Sequence, residues 1–222
     1  MRELEFSASV EDYLKTIYGL ARASGAAVHS EVAAALKVTR ASVTAMARRL
    51  AQQGLVVRAT RHAGLRLTRK GRAAAVRLLR RHRVLEAYLV AALGYTWDRV
   101  HTEAERLEHS ASDELIDRMS ALIGEPTVDP HGAPIPTAAG RIAEAATLPL
   151  NDLALGHAAR IARVEDEDAE FLRYLTSVRL LPGAAVRLLG REPYGGSLQI
   201  RVGARTERIS PAVASRVFVI RR

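Results

Sequence analysis

Two short helical segments joined by a tight turn constrain the fold of this chain more than any other feature. The spacing of apolar residues predicts one helix over residues 30–36 and another over residues 40–53, which Gly54 ends. Only residues 37–39 connect the two segments. Two helices with so short a connection are typical of a helix-turn-helix motif.

The segments on either side of this motif extend it to a larger unit. Residues 7–23 are predicted to form a helix, and Ser9 with Asp12 three residues later resembles a capping pattern at a helix start. After the motif, residues 55–60 and 65–68 have the apolar pattern of two hairpin strands. A helix, a helix-turn-helix motif and a hairpin in this order predict a winged helix-turn-helix domain.

Charge is segregated along the chain. Residues 37–85 contain fourteen Lys or Arg residues and no Asp or Glu, whereas residues 86–175 contain seventeen acidic and seven basic residues. Clustered cations neutralise phosphates and so are typical of nucleic-acid-binding surfaces, although an anionic membrane would also attract them. No apolar run reaches the roughly 18 residues of a membrane span, and cysteine is absent. We therefore expect a cytoplasmic protein with no membrane partner and no thiolate metal site.

The second helix of the motif and the hairpin carry residue types that contact DNA. Small hydroxyl side chains and arginine fit the major groove, and Thr, Ser and Ala contact thymine methyl groups. Arginines of the hairpin are candidate phosphate contacts. The predicted DNA-binding residues are Thr39, Arg40, Ala41, Ser42, Thr44, Arg48, Arg58 and Arg61. The expected partner is double-stranded DNA.

A second set of chemically informative residues lies in the stretch 98–114. Read as one helix, this stretch has an apolar stripe, and His101, Glu105, Glu108 and His109 lie beside it three or four residues apart. Imidazole and carboxylate groups at this spacing could coordinate a divalent metal. The alternative is a solvated helix edge with ordinary charge pairs.

His82 and Glu86 repeat this spacing further upstream. They lie four residues apart in a long helix predicted over residues 68–93, so they share one helix face and could bind one ion. A third helix is predicted over residues 114–123. By contrast, the isolated His131 is expected to be a turn residue, because it lies in a segment rich in Pro and Gly.

In the last third of the chain, the residue pattern changes from one typical of helices to one typical of short strands. Short strand patterns separated by Pro and Gly predict a small β-barrel, with one short helix over residues 168–176. The strands are predicted at residues 158–163, 184–189, 197–202 and 217–220.

In their order, these features resemble the diphtheria-toxin-repressor and manganese-transport-regulator family of metal-dependent transcriptional repressors. The resemblance covers nearly the whole chain and rests on the succession of its segments. These segments are Glu11–Tyr18, Ser42–Thr44, Gly54–Val57, Leu67–Gly71, Arg81–Arg83, Val100–Glu114 and His131–Pro136, followed by the barrel.

The resemblance implies two metal sites beside a dimer interface. One site would consist of Asp12, Glu105, Glu108 and His109, with the backbone carbonyl of Glu105 as a further ligand. The neighbouring site would consist of His82, Glu86 and His101, with Glu167 and Glu170 donated by the barrel.

The residues at Asp12 and Glu105 indicate which metal is favoured. The iron branch of the family has Met and Cys at these two positions, whereas carboxylate oxygen suits Mn²⁺. We therefore expect Mn²⁺, with Fe²⁺ as the alternative and Zn²⁺, Co²⁺ or Cd²⁺ as substitutes. Lys15 departs from the manganese branch, which has a Glu there, and this argues against a close pair of manganese ions that both use that Glu.

We therefore predict a mainly α protein with small β elements. Its domains would be a winged helix-turn-helix DNA-binding domain (residues 1–73), a helical dimerisation and metal-binding domain (residues 74–140), and a linker with an SH3-like, FeoA-like barrel (residues 141–222). The resemblance implies a homodimeric repressor of metal-uptake genes that binds a palindromic operator, takes no small organic ligand and is not an enzyme. The alternatives are a metal-dependent nucleic-acid hydrolase and a winged-helix protein that needs no metal.

Overall fold

The computed structural model describes residues 6–58, 64–165 and 168–221. The helices are α1 (Ala8–Ser24), α2 (His29–Ala35), α3 (Arg40–Gln52), α4 (Arg69–Leu93), α5 (Val100–Leu107), α6 (Asp113–Leu122), α7 (Ala169–Ser177) and α8 (Pro211–Ala214). The strands are β1 (Val56–Arg58), β2 (Leu65–Leu67), β3 (Leu148–Pro149), β4 (Ala158–Val164), β5 (Ala185–Arg191), β6 (Leu198–Val202), β7 (Arg205–Ile209) and β8 (Val217–Arg221). No helix in these ranges is long and apolar enough to cross a bilayer.

The chain divides into two compact units. The first unit comprises Met1–His82, Leu107–Asp113 and Pro136–Arg141, and the second comprises Arg83–Arg106, Glu114–Ile135 and Ile142–Arg222. The three-domain boundaries at residues 73 and 140 stay predictions.

The first unit contains the predicted helix-turn-helix and hairpin. Helix α1 buries Val10, Leu14 and Ile17 at the three- and four-residue spacing of one helix face. Strands β1 and β2 pair antiparallel, with Val56 opposite Leu67. The predicted helix over residues 7–23 is confirmed, but the capping pattern at Ser9 is wrong, because the N-cap residue of α1 is Ser7 and Ser9 lies inside the helix.

The second unit is built on one antiparallel sheet of six strands, in the order β3-β8-β4-β5-β6-β7. Side chains alternate along β6, so Leu198, Ile200 and Val202 are buried while the residues between them are exposed. The β7 strand was absent from the sequence-based prediction. Its sequence begins Arg205-Thr-Glu-Arg, and only Ile209 at its end is buried, so no apolar alternation marked it.

The expectation of one helix over residues 98–114 is wrong. Helix α5 ends at Leu107, residues 108–110 form a turn, and α6 starts at Asp113. The backbone N–H groups of Ser110 and Ala111 both donate to the carbonyl oxygen of Leu107 and close the helix. Ser and Asp side chains compete for backbone hydrogen bonds and favour turns and helix starts, which explains the break.

Candidate metal centre and nucleic-acid interface

Three predicted metal ligands meet in the first unit. Asp12, Glu108 and His109 each offer one ligand atom, and these atoms lie within 4.8 Å of one another. The Nε2 atom of His109 lies 3.0 Å from Asp12 Oδ1 and 3.6 Å from Glu108 Oε1. Neighbouring ligands of an octahedral ion at about 2.1 Å are about 3 Å apart, so this donor set fits a divalent cation.

Tertiary contact brings these ligands together. Asp12 lies in the first half of α1, whereas Glu108 and His109 lie in the turn that follows α5. The end of the helix at Leu107 therefore places the two later residues outside regular helical geometry. The site joins α1 to this turn.

The buried carboxylate of Glu108 is held between two cationic or proton-donating groups. Its side chain is 1% exposed, and it accepts hydrogen bonds of 2.6 Å from Lys15 Nζ at Oε1 and of 2.6 Å from His82 Nδ1 at Oε2. Burial raises the pKa of Glu108, but the hydrogen bonds and charges of His82 and Lys15 outweigh burial and hold the pKa below its ordinary value. Glu108 is therefore an ionised acceptor, and its Oε1 atom already has a cation beside it.

Glu11 orients His109 in a way that the sequence did not reveal. The Nδ1–H group of His109 donates to Glu11 Oε2 at 2.7 Å, and Arg81 lies 3.7 Å from the other oxygen of Glu11. A histidine that donates one ring N–H to a carboxylate keeps its other nitrogen available as a metal ligand. Glu11 and His109 are 98 residues apart in the chain, so no local pattern links them.

Glu105 is placed differently from the other predicted ligands of this site. Its side chain is 52% exposed, and its Oε1 atom lies 3.6 Å from His101 Nε2 within the second unit. Among the described residues, no cluster of three or more potential ligands includes Glu105. Its membership of the first site stays a prediction.

A second cluster of ligand-type residues lies in the second unit. Glu86 is buried, and its Oε1 atom accepts a hydrogen bond of 3.2 Å from His101 Nδ1. Its Oε2 atom lies 3.7 Å from His131 Nδ1, and Glu86, Asp129 and His131 bring their ligand atoms within 4.8 Å of one another. The structure thus brings together the predicted residues Glu86 and His101. The third predicted ligand of this site, His82, donates to Glu108 within the first unit.

His131 is more than the turn residue that the sequence suggested. It lies in a turn but is buried, its Nε2–H group donates to the carbonyl oxygen of Trp97 at 2.8 Å, and its ring stacks on the Trp97 ring. Burial lowers its pKa, but the neighbouring Glu86 and Asp129 carboxylates and the Trp97 carbonyl raise it above its ordinary value. Burial and the charge of Glu86 raise the pKa of Asp129 to about 6. The sequence signal that could have indicated this buried group is a histidine two residues after an aspartate in a turn flanked by Pro.

Of the two ligands expected from the barrel, Glu170 is not in these clusters. Glu170 is exposed in the first turn of α7, where its backbone N–H donates to Asp168 Oδ1 at 2.7 Å. Among the described residues, no potential ligand cluster includes Glu170. Glu167 lies outside the described residues.

The predicted DNA-contact residues on and beside α3 are exposed, whereas Val43, Ala47 and Leu50 face the core. The backbone N–H of Ser42 donates to Thr39 Oγ1 at 3.1 Å, which caps the helix. Arg61 and the side chain of Arg58 lie outside the described residues. The exposed α3 candidates are Thr39, Arg40, Ala41, Ser42, Thr44 and Arg48.

Three family descriptions match successive parts of the chain. They are the iron dependent repressor N-terminal DNA binding domain (residues 5–63), the iron dependent repressor metal binding and dimerisation domain (residues 68–137), and the FeoA domain (residues 148–221). The first description covers α3 and its exposed residues, the second covers most residues of the ligand clusters, and the third covers the antiparallel sheet.

Individual relatives lead to the same family. The chain is 37% identical to the iron-dependent repressor IdeR of Mycobacterium leprae over 129 residues, which are 58% of this chain and 55% of that protein. It is 37% identical over 115 residues to the HTH-type transcriptional regulator MntR of Lysinibacillus sphaericus, which covers 52% of this chain and 81% of that protein. The chain therefore aligns with only about half of the length of IdeR.

A solved structure extends the similarity to the whole fold. It is a manganese-dependent transcriptional repressor in complex with manganese, and it has a TM-score of 0.88, 34% sequence identity, and coverage of 96% of this chain and 100% of that chain. The chain belongs to the diphtheria-toxin-repressor and manganese-transport-regulator family of metal-dependent transcriptional repressors. The predicted fold class is confirmed, with a winged helix-turn-helix, a helical domain and a C-terminal SH3-like β domain.

Proposed function

We propose that this protein is a homodimeric, metal-dependent transcriptional repressor that binds a palindromic DNA operator and controls genes of metal-ion uptake. The observation that carries the proposal is the Asp12–Glu108–His109 cluster, which joins α1 to the turn after α5. Regulators of this kind act on chromosomal DNA, so the proposal places the protein in the cytoplasm. The relatives are named as repressors, which favours a regulator over a hydrolase.

The first proposed metal site consists of Asp12, Glu105, Glu108 and His109. A bound divalent cation would neutralise the carboxylates of this site. Glu108 is held by His82, and His109 is oriented by Glu11, so two ligands are already positioned. Asp12 is 42% exposed, so it is less fixed than these two ligands. A cation that binds Asp12 would hold α1 against the turn that carries Glu108 and His109.

The second proposed site consists of His82, Glu86 and His101, with Glu167 and Glu170 as ligands from the C-terminal domain. The 3.2 Å separation of Glu86 Oε1 and His101 Nδ1 supports a shared ion. His82 lies one helical turn before Glu86 on α4, so both side chains leave the same face.

Mn²⁺ is the metal that we favour, with Fe²⁺ as the alternative. The proposed ligands of the first site are carboxylate oxygens and one imidazole, and carboxylate oxygen suits Mn²⁺. The chain has no cysteine to supply a softer ligand. Both iron- and manganese-dependent repressors are among its relatives, so the metal has to be measured.

DNA would be read by α3 and the hairpin. The exposed residues Thr39, Arg40, Ser42 and Thr44 lie in the first turns of α3, the part of a recognition helix that enters the major groove. A dimer then needs two half-sites that lie about one helical turn, or a multiple of it, apart. If cation binding orders α1, metal and DNA assist each other through one coupling free energy.

The test is DNA binding by chelator-stripped protein, titrated separately with Mn²⁺, Zn²⁺ and, without oxygen, Fe²⁺. The probe is a duplex selected from randomised DNA by the Mn²⁺-loaded protein, and binding is followed by fluorescence anisotropy at constant ionic strength. We expect at least about tenfold tighter binding with the physiological metal, which corresponds to about 1.4 kcal/mol of coupling.

Glu108→Gln and Glu114→Gln form a matched pair for this test. Each removes one carboxylate charge, but Glu108 is buried in the cluster, whereas Glu114 is 75% exposed and paired with Arg118. We expect Glu108→Gln to lose the metal response and Glu114→Gln to keep it. A full metal response in Glu108→Gln would refute the site, and equal DNA affinity of the wild type with metal and with chelator would refute the function.

A further inference from the structure

The sheet of the second unit has an exposed, positively charged face on β5, β6 and β7. Strand alternation places one set of residues on the side opposite to the buried Val186, Leu188 and Ile200. We call this set the β5–β7 outer face. Its members are Ala185, Arg187, Gln199, Arg201, Thr206 and Arg208.

Two arginines of this face lie directly opposite each other. Arg187 on β5 is the register partner of Arg201 on β6. Like charges directly opposite each other in an antiparallel pair are destabilising. Neither guanidinium has a hydrogen bond or ion pair with another side chain in the described part of the chain. The pairing therefore costs stability without an internal compensation.

No acidic residue belongs to the β5–β7 outer face as defined from the described residues. Glu207 is the register partner of the buried Ile200 and so lies on the other side of β7. The nearest neutralising contact is at the rim, where Arg208 Nε lies 3.9 Å from Glu192 Oε1. Within the described residues, the face thus presents two arginines whose positive charges have no acidic partner, and Arg208 lies beside them.

We infer that the β5–β7 outer face binds the phosphate backbone of DNA that flanks the operator. This inference rests on the proposed DNA-binding function and adds a second contact surface to it. Arginine presents a rigid fork that matches phosphate oxygens, and arginines on neighbouring strands about 4.8 Å apart offer two such forks side by side.

The composition of the face favours DNA over another protein or a membrane. The core of a protein–protein interface is apolar and rich in aromatic residues, whereas the residues between these arginines are Ala185, Gln199 and Thr206. Membrane-surface binding likewise needs apolar side chains that insert. Protein–DNA interfaces are more polar and more positively charged, which matches this surface.

The test compares two duplexes with the full-length, Mn²⁺-loaded protein. Both carry an operator selected from randomised DNA, but one is trimmed to the segment that the protein protects from cleavage, and the other extends by about two helical turns on each side. Affinity is measured over a range of salt concentrations. The wild type is expected to bind the extended duplex more tightly and with a steeper dependence on salt, since more phosphates are contacted.

The variant Arg187→Gln/Arg201→Gln should lose this difference. Each lost phosphate contact lowers the slope of log affinity against log salt by about 0.9, so we expect a decrease of about 2 per contacting subunit on the extended duplex and none on the trimmed one. The control Arg118→Gln/Arg141→Gln removes the same charge from exposed positions outside this sheet and should retain the wild-type slope.

Each alternative has its own outcome. An unchanged slope on the extended duplex would overturn the inference, even if metal-dependent binding of the trimmed duplex is intact. A change in sedimentation behaviour with an unchanged slope would assign the face to a second copy of the chain and would also overturn it. The variant Arg187→Lys/Arg201→Lys preserves charge and should retain most of the slope, which separates loss of charge from a defect in folding.

Discussion

Lys15 is expected to compete with the metal at the first site. Its Nζ atom donates to Glu108 Oε1 at 2.6 Å, and this same oxygen faces His109 Nε2 at 3.6 Å. We expect a cation that binds Glu108 Oε1 and His109 Nε2 to displace the ammonium group, because both cations would approach the same oxygen. Lys15 is 21% exposed, so its side chain can turn towards solvent when it is displaced.

The size of the effect follows from the bond that is broken. A hydrogen bond between charged groups contributes roughly 1.5–3 kcal/mol, and the partial exposure of Lys15 favours the lower half of that range. At about 1.4 kcal/mol per factor of ten, Lys15→Met should tighten Mn²⁺ binding about 10- to 40-fold. The metal-free protein should lose a similar free energy of unfolding, because the buried Glu108 carboxylate then keeps only His82 of its two close partners.

The assay is competition for Mn²⁺ against a fluorescent chelator, together with urea denaturation of the metal-free protein. Lys70→Met is the matched control, because Lys70 donates to the backbone carbonyl of Gln53 and is not part of the cluster. Unchanged or weaker Mn²⁺ affinity in Lys15→Met would refute the argument that Lys15 occupies the place of the cation.

Two further predictions concern the stability of the second unit. A Cβ atom at Gly132, where φ is +84°, would lie 2.0 Å from the carbonyl oxygen of Ala162, so Gly132→Ala should cost at least about 2 kcal/mol in urea denaturation. Gly203→Ala also has positive φ but meets no atom within 4 Å, and it should cost only about 1 kcal/mol; equal losses in both variants would contradict the close-approach explanation. Burial raises the pKa of Asp98, but the hydrogen bonds from Thr96 and Arg173 outweigh burial and lower it, so the stabilisation from Asp98 is present above its unfolded pKa and is lost as pH falls through the lowered value. Asp98→Asn should therefore lower the free energy of unfolding by roughly 0.5–1 kcal/mol at pH 7, a small value because solvent screens the exposed Arg173. In strong acid the substitution should cost nothing, and a loss that is independent of pH would contradict this.

Local sequence patterns were sufficient for most of the secondary structure. The helix-turn-helix segments, the long α4 helix and most strands of the C-terminal sheet follow from apolar periodicity, because each of them buries one regular face. The failures lie where periodicity is weak. The β7 strand has one buried residue, and the stretch 98–114 breaks at a turn whose polar residues resemble those of an exposed helix face.

The candidate site was predictable in its residue types but not in its contacts. The resemblance selected Asp12, Glu108 and His109, which the structure brings together. Glu11 was missed because it reaches His109 only through the packing of α1 against a distant segment. The assignment of Glu105 and of the C-terminal carboxylates is still to be tested by metal binding.

The sequence by itself determined the order of elements, the segregation of charge and the supply of hard ligands without cysteine. These properties depend on local composition and residue spacing, so they can be predicted without knowing which distant residues are in contact. Only the tertiary structure decided that Lys15 and His82 share the carboxylate of Glu108, and that Asp129 and His131 are buried beside Glu86. Those pairings depend on which surfaces pack together, and burial then strengthens the electrostatic interactions that set the state of each site.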